Sequence, residues 1–157
     1  MNFLKKHGLL LIVLQAIVAM AGSLYFGFFG DPYTNFILRD MWNWENGFPP
    51  CDLCWYARIL MYPIVWFSII ALVRKEVKCI VNYFIPVSLA GMLLTWYHYF
   101  LQKVNVGTSF FCTAANPCDA LSVNYFGFIT IPFLALLAFT VILVLSLLTR
   151  KALKQDG

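Results

Sequence analysis

Charge is what this sequence has least of. Charged residues make up 11% of its 157 residues against 62% hydrophobic ones, whereas about a quarter of a typical soluble domain is charged. That shortage excludes an ordinary soluble domain. Internal repeats, low-complexity tracts and a linker to a second domain are also missing, and the length leaves room for one domain. The apolar residues gather in four long blocks that lack the polar face of a soluble core helix. Crossing the hydrocarbon core takes about 20 apolar residues at 1.5 Å rise each. Residues 9–29, 55–73, 80–101 and 125–148 all meet that requirement. The expected fold is all-α, a polytopic four-helix membrane bundle in a single domain spanning 1–157.

The net charge of +4 is spread in a way that removes any case for nucleic acid. Basic residues cluster at Lys5 and Lys6, at Arg74, Lys75 and Lys78, and at Arg150, Lys151 and Lys154. The two remaining connections, about 30–54 and 102–124, hold only Arg39 and Lys103 beside Asp31, Asp40, Glu45, Asp52 and Asp119. Lysine and arginine mark the cytoplasmic side, so both termini are expected inside and these two loops outside. Lys5-Lys6, an apolar run and Ala19-Met20-Ala21 together look like a cleavable signal peptide. The run continues through Phe29, however, so the segment is expected to stay as the first helix. Phe36, Ile37, Met41, Trp42 and Trp44 in the first loop fit interfacial contact with the bilayer, either as anchoring aromatics or as a short helix lying flat.

Four of the five cysteines then fall on the outer side, where disulfides form and persist. Cys51-Asp52-Leu53-Cys54 is a C-x-x-C pair that opens the second helix. A helix amino terminus favours a thiolate at Cys54. Arg58, four residues on, shares its face one turn deeper. A guanidinium within a membrane helix is costly and marks a functional site, although at this depth it could also snorkel to the interface. In the second loop five residues separate Cys112 from Cys118, close enough for a small disulfide loop turned by Asn116-Pro117. That pair reads either as a structural staple or as a redox pair. A tetrahedral four-thiolate zinc site is a further alternative, disfavoured by the oxidising side and by flanks unlike a zinc knuckle. No metal is expected. His98, near the outer end of the third helix, is either a packing histidine or a partner of Arg58 in a shared polar pocket. Cys79, at the inner edge, reads as a plain thiol.

Taken jointly, these residues resemble the disulfide bond formation protein B (DsbB) family of quinone-dependent thiol oxidases. The resemblance covers essentially the whole chain: four helices, two outer loops and a cysteine pair in each. Cys51-x-x-Cys54 followed by Arg58 looks like the family's first redox pair and its quinone-contacting arginine. Gly91-Met92-Leu93-Leu94-Thr95-Trp96-Tyr97-His98 resembles its third helix, whose histidine lies near the quinone. Phe126-Gly127-Phe128 with Pro132 resembles the start of its fourth. The close spacing of Cys112 and Cys118 is similar to the shorter-loop branch, including the Gram-positive BdbC type.

The resemblance implies a mechanism in a bacterial cytoplasmic membrane, with the active loops extracytoplasmic. A reduced thioredoxin-like (DsbA-like) oxidase attacks the Cys112–Cys118 disulfide. Electrons pass by thiol exchange to Cys51–Cys54, and Cys54 delivers them to ubiquinone or menaquinone held near Arg58 and His98. Two other readings stand beside it. One is a quinone reductase of the vitamin K epoxide reductase type, whose C-x-x-C usually comes late in the catalytic domain. The other is a non-enzymatic membrane protein whose loop disulfides are structural.

Overall fold

A computed structural model describes residues 2–29, 52–104 and 129–154. These residues form four helices: α1 (Asn2–Phe29), α2 (Asp52–Arg74), α3 (Val77–Val104) and α4 (Ile131–Lys154). All four are long and apolar enough to cross a membrane. They close into a ring in which α1 packs on α2 and α4, and α3 packs on the same two helices. The α3–α4 contact is the most extensive, and the α2–α4 diagonal barely touches. The expected all-α four-helix membrane bundle is what the chain forms.

The bundle is apolar on both its inside and its outside. Val18, Trp66 and Val73 are 66%, 65% and 78% exposed on the periphery, a surface that suits lipid tails and not water. Inside, Ile12, Ile64, Phe84, Phe139 and Ile142 are fully buried. Between apolar helices in lipid there is little hydrophobic force, so close packing of small residues has to supply the association. Gly91 provides it on α3. A Cβ placed there would run into the ring of Phe139 on α4, and that ring is itself fully buried. Gly8 on α1 makes the same approach to Thr149 of α4.

Three hydroxyls inside the helices are returned to their own backbone, whereas those of Ser88, Ser146 and Thr149 are buried without a hydrogen-bond partner among the described residues. Ser68 Oγ donates to the Val65 carbonyl at 2.8 Å, Thr95 Oγ1 to the Gly91 carbonyl at 2.8 Å, and Thr140 Oγ1 to the Leu136 carbonyl at 2.7 Å. Pro63 and Pro86 lie inside α2 and α3, positions that membrane helices tolerate where neighbours support the backbone.

The helices overrun the apolar blocks. Helix α1 begins at Asn2, ahead of Leu9, and α2 begins at Asp52, ahead of Trp55. Helix α3 extends about a turn beyond residues 80–101 at its carboxyl end. The backbone ladder does not stop where the hydrocarbon does. Helix α4 differs in starting late, at Ile131 and not near Tyr125. The Leu134 N–H donates to the Thr130 carbonyl at 3.1 Å, so Thr130 occupies the cap position. Pro132 then sits in the first turn, where its missing N–H costs nothing. Phe126-Gly127-Phe128 lies outside the described residues.

One end of the bundle is closed by the α2–α3 turn. Lys75 adopts a left-handed φ of 59°, and the Glu76 N–H reaches back to the Ala71 carbonyl at 3.2 Å. This is a Schellman closure, which satisfies the last carbonyls of α2. The carboxyl end of α4 lies at this turn end, and the two long connections leave from the opposite, loop end.

Candidate functional site

At the loop end, the first turn of α2 carries Asp52, Leu53 and Cys54. Leu53 is buried and anchors the turn in the bundle, which leaves Cys54 half-buried beside it. Asp52, in the same turn, answers the positive end of the helix dipole. Cys54 and Arg58 stand one turn apart on one face of α2, the spacing of helical neighbours.

The guanidinium of Arg58 is held across the helix interface. Its Nε donates to Ser23 Oγ at 3.0 Å, and its Nη2 donates to the Ser23 backbone carbonyl at 3.1 Å. On the other side, its central carbon lies 5.6 Å from the ring centroid of Trp55, in range of a cation–π contact. Arg58 therefore does more than snorkel: its fork is fixed by α1 and by an aromatic of its own helix. A guanidinium has five N–H donors. Among the described residues, the two bonds to Ser23 leave others available to an oxygen acceptor arriving from the half-exposed side. A quinone carbonyl is such an acceptor, so this donor set fits the cofactor that the sequence resemblance implies.

His98 is buried, only 3% exposed, in the loop-end half of α3. Counting outward from the Phe67–Tyr83 ring pair, whose centroids are 5.7 Å apart, Ala57 falls level with Leu93 and Leu53 with Tyr97. The His98 backbone is thus about a turn and a half beyond that of Arg58, and not level with it. Side chains lean toward the amino end of their own helix, so Arg58 reaches outward on α2 while His98 reaches inward on α3. The described bonds of Arg58 run to α1 and not to α3. Beside His98, Tyr99 packs on Phe133 of α4 at 5.6 Å between centroids, and Lys103 Nζ lies 5.6 Å from the Tyr99 ring.

Cys51, Cys112 and Cys118 lie outside the described residues, as do the interfacial aromatics of the first loop. Cys79 is exposed in the first turn of α3. Among the described residues no three of His, Cys, Asp and Glu come together as a metal site. Sequence reasoning missed Ser23. A serine in an apolar run reads as packing, and only a partner on another helix reveals it as a hydrogen-bond acceptor.

Comparison with known proteins shows the family of the chain. The family model described as "Disulfide bond formation protein DsbB" matches residues 44–149. The chain is 39% identical over 156 residues to a "Probable disulfide formation protein" of Oceanobacillus iheyensis, covering 95% of this chain and 90% of the relative. It is 38% identical over 136 residues to "Disulfide bond formation protein C" of Bacillus subtilis, covering 86% of each. A third relative, the "SPbeta prophage-derived disulfide bond formation protein B" of Bacillus subtilis, is 35% identical over 69% of this chain and 75% of its own length. No solved structure gives a significant match.

Proposed function

The chain belongs to the DsbB family of disulfide bond formation proteins, and from that premise we propose that it is a quinone-dependent thiol oxidase. It reoxidises a thioredoxin-like (DsbA-like) oxidase and passes the electrons to ubiquinone or menaquinone. The whole chain, 1–157, works as one membrane domain with both termini cytoplasmic and the cysteine-bearing loops extracytoplasmic. The charge distribution supports that orientation: the turn end carries Arg74, Lys75, Lys78, Arg150, Lys151 and Lys154.

In this reading Cys112–Cys118 is the disulfide first attacked. A thiolate of the partner forms a mixed disulfide with one sulfur, and the other leaves as thiolate. The partner's second thiol resolves the mixed disulfide, so the partner leaves as a disulfide and Cys112 and Cys118 become a dithiol. Exchange between the loops then reduces Cys51–Cys54 and restores Cys112–Cys118, so the pair of electrons moves without loss or gain. Exchange requires an accessible attacking thiolate, which Cys112 or Cys118 supplies, and Cys54, in the first turn of α2, belongs to the pair attacked. Arg58 and His98 hold the acceptor. The guanidinium directs N–H groups to a carbonyl oxygen, and His98 supplies a buried imidazole on the facing helix. A quinone bound there supplies the two-electron acceptor. About 30 mV of potential is worth 1.4 kcal/mol for a two-electron couple, so a more oxidising acceptor drives the relay one way.

The observation that carries the reading is the arginine one turn below Cys54, fixed to Ser23 by two of its N–H groups. The test is quinone reduction by the purified full chain given a reduced thioredoxin-like partner, run beside Cys54→Ala and Cys112→Ala. Both variants should fall to the uncatalysed background. Full turnover in Cys112→Ala would reduce the second pair to a staple, and no turnover in the unmodified chain with either quinone would overturn the reading.

A further inference from the structure

At the turn end, α3 and α4 part to leave a cleft of about 350 Å³, lined by Lys78 and Asn82 of α3 and by Arg150, Leu153 and Lys154 of α4. Its volume lies within the range of about 300–1,000 Å³ typical of ligand clefts. Among the described residues, three cations face it and no carboxylate does. Among the described residues none of the three is in an ion pair. Three like charges around one cavity repel one another, and an anion seated between them would reverse the sign of that interaction. One further feature favours an anion: the Asn82 amide adds a neutral donor.

The surface that continues from the cleft indicates which anion. Along α3, Lys78 and Asn82 lead at helical spacing to Pro86 and Leu89. Along α4, Lys154 and Arg150 lead to Leu147 and Leu143. Leu89 and Leu147 are 43% and 45% exposed, on the bundle face that lipid tails cover. A polar cavity thus opens directly onto an apolar track toward the bilayer interior. A soluble phosphate would use only the cavity, whereas a phospholipid would use both.

We propose that this cleft is a binding site for the phosphate headgroup of an anionic glycerophospholipid, with the acyl chains lying along Leu89 and Leu147. Lys78, Arg150 and Lys154 neutralise the headgroup, and basic pockets between membrane helices suit such ligands. Besides charge, the site gives α3 and α4 a shared ligand at the turn end. Bound lipid therefore stabilises the folded bundle by mass action. The site is independent of the redox reading.

The test uses the full chain in neutral detergent, with bound lipids counted by native mass spectrometry and stability followed by thermal melting. Phosphatidylglycerol should bind and raise the melting temperature. Phosphatidylcholine at the same concentration should bind at least about tenfold more weakly, as should the variant Lys78→Gln/Arg150→Gln/Lys154→Gln toward phosphatidylglycerol. Arg74→Gln/Lys75→Gln/Lys151→Gln removes the same charge outside the cleft and should keep phosphatidylglycerol binding within about threefold of the unmodified chain. Equal loss in the two triple variants would mean general attraction to a basic end, and would overturn the site. Equal binding of the two lipids would also overturn it. A melting-temperature rise with inorganic phosphate as large as that with phosphatidylglycerol, lost in the cleft variant, would replace the lipid with a soluble anion. Should the cleft variant fail to fold, Lys78→Gln alone must still weaken phosphatidylglycerol binding more than Lys75→Gln does.

Discussion

The two ends of the bundle treat positive charge in opposite ways. At the turn end six lysines and arginines sit on the last turns of α2 and α4, in the connection and on the first turn of α3, all of them exposed. At the loop end Arg58 sits almost two turns inside α2, half-buried, with its guanidinium bonded to another helix. A cation at a helix end keeps its hydration and costs little, whereas one inside a membrane helix must find protein partners for its N–H groups. What separates a topology signal from a functional group here is depth and fixation, not charge. Removing cations at the turn end should therefore leave turnover nearly untouched, and removing Arg58 should not.

Arg58→Ala is the largest expected effect. Losing hydrogen bonds from a charged donor costs about 1.5–3 kcal/mol, so the apparent KM for quinone should rise roughly ten- to hundredfold. Steady-state quinone reduction at saturating partner measures it. Arg58→Lys should recover only part of the loss, because a point charge cannot copy the fork. An unchanged KM in Arg58→Ala would erase the functional difference between the two ends.

Between the ends lies the α3–α4 seam, which sets how rigidly one is tied to the other. Gly91→Val would force a side chain into the space filled by the Phe139 ring. Overpacking of this kind costs about 1–3 kcal/mol, visible as a lower melting temperature in detergent. Phe139→Leu in the same chain should restore part of the stability, since it makes room at the same contact. If the double variant melts no higher than Gly91→Val, the contact is not what limits stability. Turnover per folded molecule should change less than in Arg58→Ala.

Ser23→Ala comes next. It removes the hydroxyl that accepts from Arg58 Nε but keeps the backbone carbonyl that accepts from Nη2. The bond has a charged donor and is worth about 1.5–3 kcal/mol, but the retained carbonyl still holds Nη2, so only part of that reaches the acceptor and the KM for quinone should rise roughly two- to tenfold. A double-mutant cycle with Arg58→Ala should show strong non-additivity. Additive losses would mean that Ser23 acts on something other than Arg58.

How much of this was legible in the sequence follows from which forces are local. The four spans were readable because the bilayer demands some twenty apolar residues in a row, and α2 carries Cys54 and Arg58 at a spacing that any helix would place on one face. Helix ends were less legible. Hydropathy marks the hydrocarbon core, while the backbone of α1 stays helical back to Asn2 and that of α4 waits for Thr130 and Pro132. Ser23 was invisible because its role depends on register between α1 and α2. The cleft residues were read only as markers of sidedness, since nothing local says that Lys78 and Arg150 line one cavity. The offset of His98 from Arg58 likewise needed the Phe67–Tyr83 pairing. Cys51, Cys112 and Cys118 rest on the sequence and the family alone.

The smallest expected effect belongs to the turn end. Lys75 holds a left-handed φ of 59°, a conformation that costs an ordinary L-residue roughly 1–2 kcal/mol and that glycine adopts freely. The Schellman bond from Glu76 to Ala71 requires that conformation whichever residue occupies the position. Lys75→Gly should therefore keep the turn and stabilise the bundle by at most about 1 kcal/mol, because glycine also gains freedom in the unfolded chain. A slight rise in melting temperature with unchanged quinone reduction is the expected result. A fall would mean that the lysine does more at this end than hold a turn, and the contrast with Arg58 would then be one of degree. A lysine kept where glycine fits better is what the positive-inside rule would favour, since a charge at this turn fixes orientation at a small cost in fold stability.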